Sequence, residues 1–402
     1  MLVEGYTHIG GRTAETSGLA NMLAAVGVES PHTGDAFSEA MVFGLGPGIG
    51  AAYWTFAYGT GSTLTIGTRG SGWAGYGADA ILNACTRLGA PTEVLETSGA
   101  KTAERDLRKT IEAGRPALLQ LDMASLPYKR MPRLLERYFP HSVVVCGTDN
   151  SGAWLIDDCA PTPLPINAAR LAHARASISN LKHRMVLITK GRPVSRGELS
   201  DAVRTAIRAT ATELLQPNMT NFGLPALEKW GRLVADPTHP HGWKPLFGTD
   251  HGLADALVWT YRWIETLGTG GGGYRSIYAA FLDEAAHVTG REELGRMAPL
   301  YRDLAGMWSA LAEAATPETV PVLAETRGVL AEMNRAFVTR GTDAADELDT
   351  LSERLAGLEA KIADWWFRDG EALELLEGLS NRLLAIHARE TVCARMLLTA
   401  IG

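Results

Sequence analysis

The sequence predicts an α+β protein in which a mixed sheet with flanking helices is followed by a mostly α-helical domain. In the first half, apolar runs typical of buried strands, such as Ala117–Asp122 and Arg184–Thr189, alternate with helical segments. From Arg196 onward, strand-like runs are hard to find and helical periodicity dominates. The chain has 402 residues, more than one ordinary hydrophobic core accommodates. We therefore expect two domains, residues 1–192 and 193–402.

Capping and stop residues indicate where the predicted helices of the first half begin and end. Glu15–Val26 is a predicted helix with Thr13 as its N-cap, because a threonine hydroxyl there accepts from a free backbone N–H. Ala78–Leu88 is a second helix. Ala103–Ala113 is amphipathic and ends at Gly114-Arg-Pro116, a glycine and proline stop. These helices and the apolar runs between them give the mixed layer architecture of the first domain.

The segment Met41–Thr68 contains no charged residue. Its glycines and its proline interrupt it, so that the apolar helix of about 20 residues needed to span a membrane is not available. We interpret the segment as buried glycine-rich turns near the active site, and we expect no membrane association.

The second half contains a leucine seam with the spacing of packed helices. After an interruption at Arg368-Asp-Gly370, leucines again recur at helical spacing. The pattern predicts an antiparallel helical hairpin, and a dimerising coiled coil is the alternative. The seam and the second run consist of Leu348, Leu351, Leu355, Leu358, Ile362 and Trp365, then Leu373, Leu376, Leu379 and Leu383.

Composition narrows the classes of partner. The net charge of −7 argues against a nucleic-acid backbone or an anionic membrane as the main partner. The four cysteines are scattered, as expected of buried thiols in a reducing compartment. Glu4 lies where a secretion signal has basic residues. We expect a cytoplasmic protein without metal or cofactor, and a homo- or hetero-oligomer remains open.

A histidine and an aspartate at opposite ends of a predicted hairpin indicate acid–base chemistry. His141 begins the strand that leads to Cys146, and the next strand, Trp154–Asp157, ends in two aspartates. In papain-like sites an acid orients the imidazole, which serves a nucleophile on an N-terminal helix. Alternation along the strand does not separate Asp157 from Asp158. Where the helix would carry a nucleophilic cysteine, the chain has Ala14.

Several motifs in the same order resemble the butirosin-biosynthesis BtrH-like family, in which the N-terminal domain is followed by a characteristic second domain. The resemblance covers nearly the whole chain. The matching segments are Gly10–Leu23, Phe37–Gly46, Gly114–Asp122, Leu126–Tyr128 and the His141 hairpin, then Asn221–Leu224 with Trp230, and Gly270–Glu284.

The resemblance implies a cysteine-peptidase-like fold used for acyl transfer from a carrier-protein thioester to an amine. It places the nucleophile at Ala14, the base at His141 and the acid at Asp157. Because alanine cannot form an acyl-enzyme, three explanations stay open. The thiol was lost and the pocket reused for non-covalent chemistry, or a cysteine was replaced deliberately to trap a complex, or the chain is an inactive partner subunit.

Other residues complete the expected site. Glu15 and Glu39 lie in the two best-matched segments and are candidates for acid–base roles, with helix charge compensation as the alternative for Glu15. Candidate substrate-binding residues come from these segments and from the end of a glycine run; they are Thr16, Ser38, Tyr128, Tyr274 and Arg275.

The function expected from the sequence is an enzyme of specialised-metabolite, antibiotic-type biosynthesis. We expect it to act on an amino-acid-derived substrate tethered to a carrier protein. The favoured reaction is non-covalent: a substrate amine attacks intramolecularly and an anionic group leaves, which forms an azacycle. The resemblance extends to enzymes of azacycle formation. The leaving anion would be held by N–H groups at the start of the Ala14 helix. The alternatives are an aminoacyl or acyl transferase and a non-catalytic partner subunit.

Overall fold

The computed structural model describes residues 1–46, 48–58, 61–70, 78–248 and 251–402. The predicted α+β class is confirmed, since a sheet-containing N-terminal region is followed by a mostly helical part. Within the described residues the strands are β1 Ile49–Tyr58, β2 Gly61–Arg69, β3 Thr92–Leu95, β4 Ala117–Asp122, β5 Pro140–Thr148, β6 Trp154–Asp157, β7 Leu164–Ile166 and β8 Met185–Ile188.

The α-helices of the described residues are α1 Ala14–Ala25, α2 Glu39–Leu45, α3 Ala78–Arg87, α4 Ala100–Glu112, α5 Ala168–Ser177, α6 Arg196–Leu215, α7 Gly223–Ala235, α8 Trp243–Phe247, α9 His251–Tyr261, α10 Arg275–Thr289, α11 Glu292–Ala315, α12 Pro321–Arg340, α13 Ala345–Ala363 and α14 Asp369–Ile401. Short 3-10 helices at Met123–Ser125, Pro127–Lys129 and Arg133–Leu135 connect β4 to β5.

The chain forms two compact units. Among the described residues, unit 1 comprises those within 1–46, 78–202 and 335–349, and unit 2 comprises those within 48–70, 203–334 and 350–402. The boundary expected near residue 192 stays a prediction.

The core of unit 1 is a six-stranded antiparallel sheet in the order β3-β8-β4-β5-β6-β7. Residues 117–122 of β4 are buried throughout, as expected for a central strand covered on both faces. α1 packs against β5, and a Cβ added to Gly18 would lie 2.8 Å from Val144 Cγ2. The close contact at Gly18 brings the start of α1 near the start of β5, where the predicted site lies.

The expectation of glycine-rich turns at Met41–Thr68 was wrong. α2 is followed in unit 2 by the antiparallel hairpin β1–β2. Pro47, Gly59 and Thr60 of this segment lie outside the described residues. Two glycines fit the hairpin because strands approach closely there: a Cβ on Gly50 would lie 2.2 Å from Arg69 O, and one on Gly67 would lie 2.9 Å from the Ala52 Cβ.

Unit 2 is helical apart from that hairpin, within the part of the chain that is described. Its hydrophobic core includes the seam residues Leu351, Leu355, Leu358 and Ile362, which therefore face their own unit. α14 packs on α7 and α11. The antiparallel hairpin of α13 with α14 stays a prediction. No helix in the described ranges is long and apolar enough to cross a membrane.

Candidate functional site

The start of α1 holds Ala14, the position that the resemblance gives to the nucleophile. Ala14 is the first helical residue and is 2% exposed. Thr13 is the N-cap, as predicted, and its Oγ1 accepts from the N–H of Thr16 at 3.3 Å. The hydroxyl of Thr16 hydrogen-bonds Thr13 Oγ1, and that of Ser17 donates to Thr13 O at 2.8 Å. The hydroxyl groups nearest Ala14 are therefore engaged in hydrogen bonds at the start of α1.

Glu39, at the start of α2, places its carboxylate against the same helix end. It accepts from the N–H of Thr13 at 2.8 Å, from the N–H of Arg12 at about 3 Å, and from the Thr16 hydroxyl at 3.2 Å. A carboxylate is favoured there because backbone N–H groups and the helix dipole point toward it. The N–H groups of residues 12 and 13, directly before the helix start that is expected to hold a leaving anion, are thus bonded to a carboxylate.

His141 lies at the start of β5 and is paired with Asp158. The imidazole Nε2 is 3.1 Å from Asp158 Oδ2, and the side chains are 10% and 0% exposed. Nε2–H donating to the carboxylate leaves Nδ1 as the basic nitrogen. Of the two aspartates between which the sequence does not choose, Asp158 rather than Asp157 contacts His141.

Lys129 and Tyr128 surround the other edge of the Asp158 carboxylate. Lys129 Nζ lies 2.9 Å from Oδ1, and Tyr128 Oη donates to Oδ2 at 3.2 Å. Burial alone would raise the pKa of Asp158, but the charges of Lys129 and His141 and their hydrogen bonds hold it well below its ordinary value. Burial, then the Asp158 charge, raises the pKa of Tyr128 well above its ordinary value, so the phenol remains a donor.

Asp157, next in sequence to Asp158, contacts other residues of unit 1. Its Oδ2 accepts from Asn21 Nδ2 of α1 at 2.7 Å and from the Tyr6 hydroxyl. Its Oδ1 lies 3.2 Å from His8 Nδ1, an ion-pair distance outside hydrogen-bond geometry, and His8 Nε2 is 2.9 Å from Ala160 O. Burial lowers the pKa of His8, but Asp157 and the Ala160 carbonyl raise it above its ordinary value overall. Asp157 therefore joins the N-terminal segment and α1 to the end of β6.

Glu15 lies between α1 and β5. The Ser142 hydroxyl donates to Glu15 Oε2 at 3.3 Å. Glu15 follows Ala14 in α1, and Ser142 follows His141 in β5. The contact therefore brings α1 and β5 together at the predicted site. Because successive strand side chains point to opposite faces, Ser142 faces α1 while His141 extends toward Asp158.

The remaining candidates lie elsewhere. Ser38 caps α2 by accepting from Met41 N at 3.0 Å. In unit 2, Tyr274 has a left-handed φ of 68°. The Arg69 guanidinium lies over its ring, with Cζ 5.7 Å from the ring centroid. Arg275 is fully buried and donates to Glu390 and to three backbone carbonyls. With its donors engaged in this way, Arg275 is a buried structural residue of unit 2, and its role in substrate binding stays a prediction.

The cysteine thiols of the chain do not provide a nucleophile for the site. All four are buried, and burial raises the pKa of Cys85 to about 12 and that of Cys393 to about 11. Cys159, directly after Asp158, has a pKa well above its ordinary value because of burial and then the Asp158 charge. Since the thiolate is the nucleophile, these groups are inert. Within the ranges that the structure describes, no cluster of His, Cys, Asp or Glu is arranged to hold a metal ion.

Sequence reasoning missed Lys129 and His8. Lys129 directly follows Tyr128, a residue of the matched segment Leu126–Tyr128, so proximity in sequence was the available signal. His8 has no spacing relation to Asp157, because the two meet only through the packing of the N-terminal segment.

An antiparallel sheet whose His-bearing strand lies against the N-terminus of a buried helix defines a cysteine-peptidase-like domain. The N-terminal part of the chain matches the BtrH-like family, as the resemblance indicated. Residues 13–159 match the family described as Butirosin biosynthesis protein H, N-terminal, and residues 169–361 match a Domain of unknown function (DUF4872). Comparison with curated proteins gives no match. The family indicates a biosynthetic enzyme of acyltransferase type.

Proposed function

We propose that this protein catalyses attack by the amine of an amino-acid-derived substrate, tethered to a carrier protein, without forming an acyl-enzyme. The observation that carries the proposal is the His141–Asp158 pair beside a helix start without a nucleophile. Ala14 has no reactive atom, the nearby hydroxyls cap the helix, and the thiols are buried with raised pKa values.

In the proposed step, Nδ1 of His141 takes a proton from the substrate amine. As the nitrogen–carbon bond forms, the bond from that carbon to the leaving group breaks, and the imidazolium returns the proton to the leaving group or to water. Asp158 holds the imidazole in the tautomer with a basic Nδ1. Lys129 forms an ion pair with the same carboxylate, with Nζ 2.9 Å from Asp158 Oδ1.

The amine and the electrophilic carbon belong to one substrate in the proposed reaction, so that the product is a nitrogen-containing ring. Intramolecular attack requires a base and correct positioning but no enzyme nucleophile, which agrees with the residues present. The Glu39 carboxylate lies at the start of α1 and repels a second anion there. We therefore propose that the leaving group departs away from that helix end.

Transfer of the acyl group to a separate amine is the second candidate, and the family match favours it. It would use the same base for direct aminolysis of the thioester. The products distinguish the two reactions, since one gives a ring and the other an amide between two molecules.

The test is product analysis with aminoacyl carrier-protein thioesters that bear a displaceable side-chain group. We expect ring-closed product from this chain and a loss of turnover of roughly 10²–10⁴-fold in His141→Ala. His287→Asn, an exposed histidine on α10, is the matched control and retains activity. Amide product instead of ring would favour acyl transfer, and full activity in His141→Ala would contradict the catalytic proposal and favour a partner subunit.

A further inference from the structure

Unit 1 carries an exposed surface that combines arginines with large apolar side chains. We call Arg133, Leu134, Arg137, Tyr138 and Arg170 the arginine patch. Leu134 is 80% exposed and Tyr138 is 71% exposed. Large apolar side chains exposed together beside cations are typical of protein contact surfaces.

The arginines of the patch are exposed, and within the described residues none of the three forms an ion pair. The nearby carboxylates are already paired: Glu136 with His173 at 2.9 Å, and Asp349 with Arg130 at 2.6 Å. The patch is therefore positive on a chain whose net charge is −7. Electrostatic complementarity selects a partner with an acidic surface.

Two cavities and the Glu136–His173 contact connect the segment 133–138 with α5. Arg137 and His173 line one cavity of about 530 Å³, and Arg170 lines another of about 430 Å³ with Arg130. Arg170 and His173 are three residues apart on α5, so they share a face of that helix. The segment 133–138 and the exposed face of α5 thus form one surface.

The patch adjoins the His141–Asp158 pair. Tyr128 lines the second cavity and also donates to Asp158, while Lys129 of the same short helix contacts that carboxylate. Arg137 has a φ of +80°, a conformation that residues with side chains rarely adopt. Leu134 and Tyr138, on either side of Arg137 and Glu136 in this segment, lie in solvent.

We infer that the arginine patch is the docking surface for the acidic protein that presents the substrate. Leu134 and Tyr138 would be the apolar contacts, and the three arginines would pair with carboxylates of the partner. This inference rests on the proposed function for the identity of the partner, the aminoacyl carrier protein.

The test compares one aminoacyl group on two carriers. The probes are an acidic holo-carrier protein and a short pantetheine thioester. For Arg133→Glu/Arg137→Glu/Arg170→Glu we expect KM with the carrier protein, and the Kd for the unloaded holo-carrier, to rise roughly tenfold or more. KM with the pantetheine thioester should not change. Leu134→Asn should weaken carrier binding in the same way, and 0.3 M salt should remove most of the difference between the chains.

The matched control reverses three exposed arginines of unit 2, Arg208, Arg382 and Arg395. An equal loss of carrier binding in this control would overturn the inference, as would an unchanged Kd in the patch variant. Direct binding separates this inference from the proposed function. If the chain turns over neither thioester but the patch variant still loses binding, the proposed function fails and the docking surface stands.

Discussion

Two adjacent aspartates at the end of β6 have different partners. Asp158 contacts His141 and Lys129, whereas Asp157 contacts Asn21, Tyr6 and the buried His8. Because one carboxylate orients the proposed base and the other joins three segments of unit 1, their replacement should have different consequences.

Asp158→Asn should lower kcat by roughly 10²-fold or more, because the amide stabilises neither the imidazolium nor the required tautomer. Asp157→Asn should instead lower the free energy of unfolding by about 1–3 kcal/mol. Urea denaturation and steady-state kinetics on both variants measure this split. A larger loss of kcat in Asp157→Asn than in Asp158→Asn would mean that Asp157, and not Asp158, orients the base.

Lys129→Met should move the acid limb of the pH–activity profile to higher pH, because the Lys129 charge helps to hold the pKa of Asp158 well below its ordinary value. Without the ammonium group, the buried Asp158 takes up a proton at a higher pH, and a protonated Asp158 no longer accepts the hydrogen bond that orients His141. Lys129→Arg keeps the charge and should stay close to the parent chain. A uniform loss of activity at every pH would mean that Lys129 has only a structural role.

The sequence pattern predicts the His141 hairpin but does not resolve its acid. β5 and β6 pair with a register shift between Val145 and Gly147, so counting along the strands does not show which aspartate reaches the histidine. Lys129 and His8 could not be predicted either, because their contacts depend on tertiary packing. The sequence thus predicts which residue types form the site, but not which of them contact one another.

At the scale of elements, local signals predicted α1 well. Its N-cap, Thr13, is as expected, since capping depends on neighbouring residues. The β1–β2 hairpin was missed because its glycines resemble turn signals, although they only permit close strand approach. Glu39 caps α1 from α2, a contact between elements that no local pattern reveals.

The N-terminal segment is joined to β6 by an ion pair that depends on pH. The pKa of His8 is raised in the folded chain, so its contribution to stability is complete below its unfolded value of about 6.5 and is lost as pH rises through the folded value. His8→Asn should therefore destabilise by roughly 2 kcal/mol at pH 6 and by less at pH 9. Urea denaturation at both pH values measures the difference, and a greater loss at pH 9 would contradict it.

At the scale of the whole molecule, unit 2 is held by a buried ion pair. Arg275 and Glu390 are both fully buried, with Nε and Oε1 2.7 Å apart, and Trp308 Nε1 donates to the same oxygen at 3.0 Å. The guanidinium also donates to Gly50 O and Thr68 O, which ties the β1–β2 hairpin to α10 and α14.

Arg275→Met should lower the free energy of unfolding by about 3–5 kcal/mol, because it leaves Glu390 buried without a charge partner. Arg275→Met/Glu390→Leu should recover much of this loss, since no uncompensated charge then remains. Denaturant titrations of the single and double variants test this, with the exposed Arg382→Met as control. Equal destabilisation by the single and double variants would show that the hydrogen bonds to the hairpin dominate.

Catalysis without an acyl-enzyme is the central feature of the proposed function. The most direct measurement is the intact mass of the protein, sampled during turnover of an aminoacyl carrier-protein thioester, for this chain and for Ala14→Cys. We predict no adduct on this chain while product accumulates, and an acyl adduct on Ala14→Cys if the introduced thiolate reaches the thioester. An acyl adduct on the unmodified chain that forms and decays at the rate of turnover would contradict the proposed chemistry.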